Sequence, residues 1–202
     1  MENKFEIKSG KAVLSDPCYE LGTWCQGVVD KVKNGEWIGD VDYLDAGDWG
    51  RRVTALLSHH KDYHTTADEV FATGEKLPFD GGVDSGQFGH FDYDGYRNDE
   101  TIAGVKRISE DADIIREEEP WYSICCDRTL GDKRFGVIPL GVVSSSGYGD
   151  GSYDTYGVKN ADGEYVAFAT MFINEVAEED EPEDMFPDEL DPAGGHGLSS
   201  HE

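Results

Sequence analysis

The residues of this chain best suited to chemistry are carboxylates set in glycine-rich turns. Asp16 precedes Pro17 in DPCY (16–19), Asp84 lies in GVDSG (82–86), Asp92 and Asp94 flank Tyr93 in FDYDG, and Asp150 stands in GYGDG. Oxygen ligands on tight loops suit a divalent cation such as Ca²⁺, and a pair such as Asp84 and Asp150 could serve a metal-assisted hydrolysis. No stretch has the spacing of an EF-hand loop. Turns use the same residues for purely structural reasons, Asp bonding the backbone that follows it and Gly taking positive φ, so each loop alone reads as a turn.

Other nucleophiles and ligands carry less. His60 and His64 in LSHHKDYH are four apart and would share a helix face that a metal could bridge, but Lys61 stands where a metalloprotease has its glutamate, so a solvated face is the leading reading. Cys18, Cys25, Cys125 and Cys126 offer no C-x2-C knuckle, and the vicinal pair should project to opposite faces of a strand. Reduced thiols in a cytosol fit that arrangement. Phosphate-loop, dinucleotide and nucleophile-elbow signatures are all missing.

Charge narrows the partners. The chain has 17 basic and 43 acidic side chains, a formal net charge of -26. That field repels phosphate, so direct nucleic-acid binding and anionic membranes are disfavoured. It suits a soluble protein, a docking surface for a basic partner, or an imitation of nucleic acid that acts by charge. Residues 174–202 read as an acidic disordered tail with eleven acids and no Lys or Arg. Those eleven are less than half of the excess, so the body is acidic as well. Met185, Phe186 and Leu190 within the tail could dock on a basic groove, though solubilisation is the commoner meaning. The N-terminus lacks an apolar run of signal-peptide length, and no membrane-length run occurs elsewhere, so a cytoplasmic protein is expected, in the host cytoplasm if phage-encoded.

The elements that must hold these residues are mostly strands. Phe5 to Lys8 and Lys11 to Leu14 read as a hairpin through Ser9-Gly10, and Trp24 to Val32 with Glu36 to Leu44 as a second through Asn34-Gly35. Trp49, Val53, Leu56, Leu57 and Tyr63 recur at helical steps after Asp48, which predicts a helix over 49–63. A short element is expected near Val70 and a polar helix within 100–120, followed by apolar strands in WYSICCDRTL and FGVIPLGVVSSS. SYDTYGVKN and EYVAFATMFIN form the clearest hairpin, through Ala161-Asp162-Gly163. The expected fold is α+β and β-dominated, an antiparallel hairpin-linked sheet of about eight strands with one or two packed helices, in a single domain over 1–173.

DPCY at 16–19, GVDSG at 82–86 and SGYGDGSY at 146–153, followed by NADGE, together resemble a bacterial and phage domain family of unknown function. The resemblance spans most of residues 10 to 173, with 90–118 and the tail departing from the pattern. It implies one β-rich domain in which Asp16, Tyr19, Asp84, Ser85, Asp150 and Tyr153 share a face, and it lends no reaction. Tyr19, Tyr148, Tyr153 and Tyr156 would wall that face, which suits a sugar or nucleobase. A phosphate would also need cations, for which Arg51, Arg52 and Arg128 are the candidates. The expected function is therefore a non-enzymatic binding protein, an inhibitor or nucleic-acid mimic being one form of it. Its partner would be a host protein with a basic surface or a small polar ligand, through Asp16, Tyr19, Asp84, Ser85, Tyr148, Asp150 and Tyr153. No cofactor is expected beyond a divalent cation, the ion that the alternative hydrolase would use at Asp84 and Asp150.

Overall fold

A computed structural model describes residues 3–108 and 118–174. Beyond Asn174 the expected tail, and with residues 109–117 the middle of the expected polar helix, lie outside the described residues. The chain forms β1 (Lys4–Ile7), β2 (Lys11–Ser15), β3 (Gly27–Asp30), β4 (Gly35–Asp45), β5 (Arg51–His60), α1 (Ala67–Thr73), β6 (Glu75–Lys76) and β7 (Gly81–Val83). It continues through β8 (Gln87–Asp92), α2 (Pro120–Thr129), β9 (Phe135–Ile138), β10 (Gly141–Ser145), β11 (Gly151–Lys159) and β12 (Tyr165–Met171). The β-dominated antiparallel architecture with two helices is as expected.

The strands divide into two sheets. One has seven strands in the order β1-β4-β5-β12-β11-β6, with β7 also paired to β11, and the other five in the order β3-β2-β8-β10-β9. Between them lies the main core, in which Leu14, Phe88 and Val142 of the smaller sheet meet Trp37, Leu56 and Phe168 of the larger. Trp37 and Phe168 stack with centroids 5.8 Å apart. Each such fully buried ring contributes roughly 1.5–3 kcal/mol through area removed from water. Behind the smaller sheet, Val13, Phe91 and Val143 pack on Trp121 and Ile124 of α2. Behind the larger, Ala55, Leu57, Ala167 and Ala169 pack on Ala67 and Val70 of α1. The layers therefore run helix, sheet, sheet, helix.

A polar seam crosses the core. His90 on β8 meets Ser58 Oγ through Nδ1 at 2.8 Å and Thr170 Oγ1 through Nε2 at 2.9 Å, and Thr170 meets Thr155 at 2.8 Å. Burial pushes the His90 imidazole down to about 3, so the ring is neutral at pH 7 and spends both nitrogens in joining the sheets.

Three expectations are corrected. Residues 49–63 are not a helix, because β5 is a central strand with both faces buried. Asp42 pairs with Ala55 and Tyr43 with Val53, which leaves Thr54 as an inserted bulge residue whose carbonyl accepts from Phe172 and Ile173 N–H. The bulge turns Val53 back to the central core alongside Leu56, and that three-residue step imitates a helical period. WYSICCDRTL is not a strand but α2, with Pro120 in its first turn, and it hides on nearly every side so that no amphipathic period shows. Cys125 is buried there, Cys126 half-buried, and all four thiols are free.

Neither of the first two expected hairpins forms. β1 pairs with β4 and β2 with β3 and β8, so the chain changes sheets at both turns. Asp92 holds the first crossing by accepting from Lys8 N at 2.7 Å and Ser9 N at 2.8 Å, and Asn34 at the second crossing accepts from Gly10 N at 2.7 Å. The β11–β12 hairpin forms as expected.

Candidate functional site

Asp16 is the hinge on which the three sequence motifs meet. It is fully buried. Its Oδ1 accepts from Cys18 N at 2.8 Å and Ser85 Oγ at 2.6 Å, and its Oδ2 from Asp84 N at 2.9 Å and Ser85 N at 2.7 Å. One carboxylate thus turns the chain at Pro17 and clamps the GVDSG loop beside it. The next link is Ser146 N donating to Gly86 O at 3.0 Å, which ties the SGYGDGSY loop to GVDSG. β7 and β11 then pair Val83 with Gly151 and Gly82 with Ser152.

Within the third loop Tyr153 is a staple. Its hydroxyl donates to Ser146 O at 3.1 Å and Gly149 O at 2.7 Å, while its ring meets Phe172 edge-on at 5.1 Å. Gly149 sits at φ 120°, a conformation that a side chain would strain. Two other side chains position the first loop. Gln26 accepts from Gly22 N at 2.9 Å and Thr23 N at 3.1 Å, and Arg97 donates to the carbonyls of Pro17 at 2.9 Å and Cys18 at 3.2 Å.

These loops enclose a cleft of about 490 Å³ lined by Tyr19, Thr23, Trp24, Cys25, Gly82, Val83, Asp84, Asp150, Gly151 and Ser152. Trp24 is 87 % exposed, far more than a large aromatic ring normally is. Gly82 is required where it stands, since a Cβ there would come within 2.8 Å of the Cys25 Cβ. Burial, then the nearby Asp84 carboxylate, holds the Tyr19 phenol above its ordinary range. Beside the cleft, burial and the Asp16 carboxylate push the Cys18 thiol up to about 12, so it stays protonated and is a poor nucleophile.

The structure thus brings Tyr19, Asp84 and Asp150 to one cleft. Asp16 and Ser85 stand behind it as the clamp, Tyr153 closes the neighbouring loop, and Tyr148 lies apart, exposed, with the Arg52 guanidinium 5.9 Å from its ring. Trp24 is the residue that sequence reasoning missed, because alternation placed it in a strand. Gly22 two residues earlier signalled the turn that exposes it. The histidine pair is also rearranged: His60 is buried at the end of β5, its imidazole lowered by burial, and it is His59 whose ring lies 6.1 Å from that of His64.

Chemically, the cleft offers two carboxylates, two aromatic walls and the hydroxyls of Thr23 and Ser152, with no Lys or Arg in its lining. It can hold neutral polar or cationic groups and is unsuited to a phosphate. Among the described residues no group of three His, Cys, Asp or Glu is arranged to hold a metal ion. Fold and cleft together define a four-layer β-sandwich with an acidic, aromatic cleft. No protein-family model, curated protein or solved structure matches the chain.

Proposed function

We propose that the chain is a non-enzymatic binding protein, of phage or bacterial origin, whose cleft at Tyr19, Trp24, Asp84 and Asp150 takes a small polar ligand or the basic surface of a host protein. The observation that carries this reading is the convergence of three sequence-distant motifs on one cleft that is acidic and aromatic and contains no cation. Behind the cleft, the buried Asp16 carboxylate is fully engaged by backbone and hydroxyl donors, and the Cys18 thiol beside it is held protonated. Neither is available as an acid, a base or a nucleophile.

Native mass spectrometry of the tagged protein drawn from its host's lysate tests the reading. A retained metabolite or protein that disappears in Trp24→Ala and Asp84→Asn supports it, and retention unchanged by both variants overturns it. A metal-assisted hydrolase remains the second reading, because Asp84 and Asp150 line the same cleft. It requires a thermal shift with Ca²⁺, Mg²⁺ or Mn²⁺ that Asp150→Asn abolishes. Where the partner is a DNA-binding enzyme inhibited by charge imitation, inhibition should collapse as salt is raised.

A further inference from the structure

The outer face of the larger sheet is only partly covered. α1 has seven residues and is about 10 Å long, whereas the six strands that lie abreast, β1-β4-β5-β12-β11-β6, span roughly 24 Å. What it leaves open, between α1 and the β4–β5 hairpin, is a groove of about 740 Å³. The strand register lays its floor: Asp42 pairs with Ala55, and Ala55 with Met171. Phe71 stands as an aromatic wall, Asp68 faces in from the first turn of α1, and Tyr43 borders the groove at its β4 edge while its ring turns toward the inter-sheet core.

The charges in this groove are uncompensated. Asp154, opposite Met171, is paired with Lys76 at 2.8 Å, but among the described residues neither Asp42 nor Asp68 has an ion-pair partner. Burial, then the charges of Asp68 and Asp40, hold the Asp42 carboxyl above its ordinary range. Asp68 also suits the positive end of α1, whereas Asp42, mid-strand, has no such local role. Arg51 is stacked on Tyr43 at 3.4 Å, and no Lys or Arg is in the groove's lining. Asn174 stands at the rim, and from it the chain runs into residues 175–202 with eleven more acids and no Lys or Arg.

We propose that this groove docks a basic segment of a partner protein, an Arg or Lys laying its alkyl stem on Ala55 and Met171 and its cation between Asp42 and Asp68. An apolar floor, the Phe71 ring and carboxylates without an ion-pair partner among the described residues are the three features such a side chain uses. The site is separate from the Tyr19–Trp24 cleft and does not depend on the function proposed for it.

Fluorescence anisotropy with a labelled octapeptide of alternating Arg and Ala, at near-physiological salt, tests the proposal on the full chain. Asp42→Asn with Asp68→Asn should weaken binding about tenfold or more. Asp48→Asn with Asp162→Asn removes the same charge from exposed turns and should change affinity less than about twofold. Ala72→Trp, at an exposed lining position, should block the groove at constant charge. Asp84→Asn should leave peptide binding intact, which separates this site from the cleft. Equal weakening by the two double variants, full binding by Ala72→Trp, or no binding of the peptide to the unmodified protein would each overturn the proposal. Circular dichroism confirms that every variant compared is folded.

Discussion

Two kinds of aspartate share this protein's turns, and the difference decides what each substitution does. Asp16 is saturated with donors, so in Asp16→Asn an amide nitrogen would face N–H groups that lost their acceptor, at a cost of about 2–4 kcal/mol. Asp84→Asn and Trp24→Ala act at an exposed rim and should change stability by less than about 0.5 kcal/mol. Urea unfolding distinguishes the two classes. Equal destabilisation by Asp16→Asn and Asp84→Asn would show that both carboxylates are structural.

His90 makes a prediction of pH dependence. Its folded value of about 3 lies below the ordinary 6.5, so between those limits the unfolded chain binds the extra proton. The His90 contribution is therefore complete above about pH 6.5, declines by about 1.4 kcal/mol for each unit below it, and is exhausted near the folded value. Unfolding free energies measured from pH 7 to 5 should fall at least that steeply, because His60, also lowered by burial, adds in the same direction. The His90 ring resonance of the native protein should not titrate over the same interval.

At the scale of elements, what the sequence revealed depended on how regular each element's surroundings are. The β11–β12 hairpin was legible because its strands are joined by an ordinary turn and its one register shift, between Val158 and Lys159, falls at the turn end and leaves Asp154 to Val158 evenly paired. β5 was not, since one inserted residue, Thr54, puts Val53 and Leu56 on the same side. Deleting Thr54 should therefore be tolerated, since Ala55 and Val53 then face Asp42 and Tyr43 as consecutive residues of a regular strand and only the carbonyl that receives Phe172 and Ile173 N–H is lost. Deleting Leu57, a paired residue, shifts everything before it by one position against β4, and the expected outcome is loss of the cooperative thermal transition.

α2 escaped notice for a different reason. A helix buried on nearly all sides lacks the polar stripe by which a helix is recognised. Much of the candidate site was legible, because aspartates and glycines in turns announce loops. Which aspartate faces solvent and which faces backbone was not, since DPCY and GVDSG carry the same local signals and only their tertiary docking separates Asp16 from Asp84.

For the whole molecule, a formal charge of -26 makes ionic strength a stability variable. Between about 0.01 and 0.2 M salt the screening length shortens from roughly 30 Å to below 10 Å, which relieves self-repulsion in the compact state. The melting temperature should rise across that interval in NaCl, and a fall would show that the surface ion pairs outweigh the repulsion.

The order of strands in the larger sheet also governs how the protein can be made. β12 and β11, the last strands of the body to leave the ribosome, lie between β5 and β6 in the middle of that sheet. Until they emerge, β5 presents an open edge with apolar side chains on both faces, and no earlier segment pairs there. Folding of the larger sheet must therefore wait for the final hairpin, while the strong like charge keeps partly made chains apart. Nascent chains stopped before Tyr165 should be sensitive to protease throughout the larger sheet, and those extended past Met171 should become resistant.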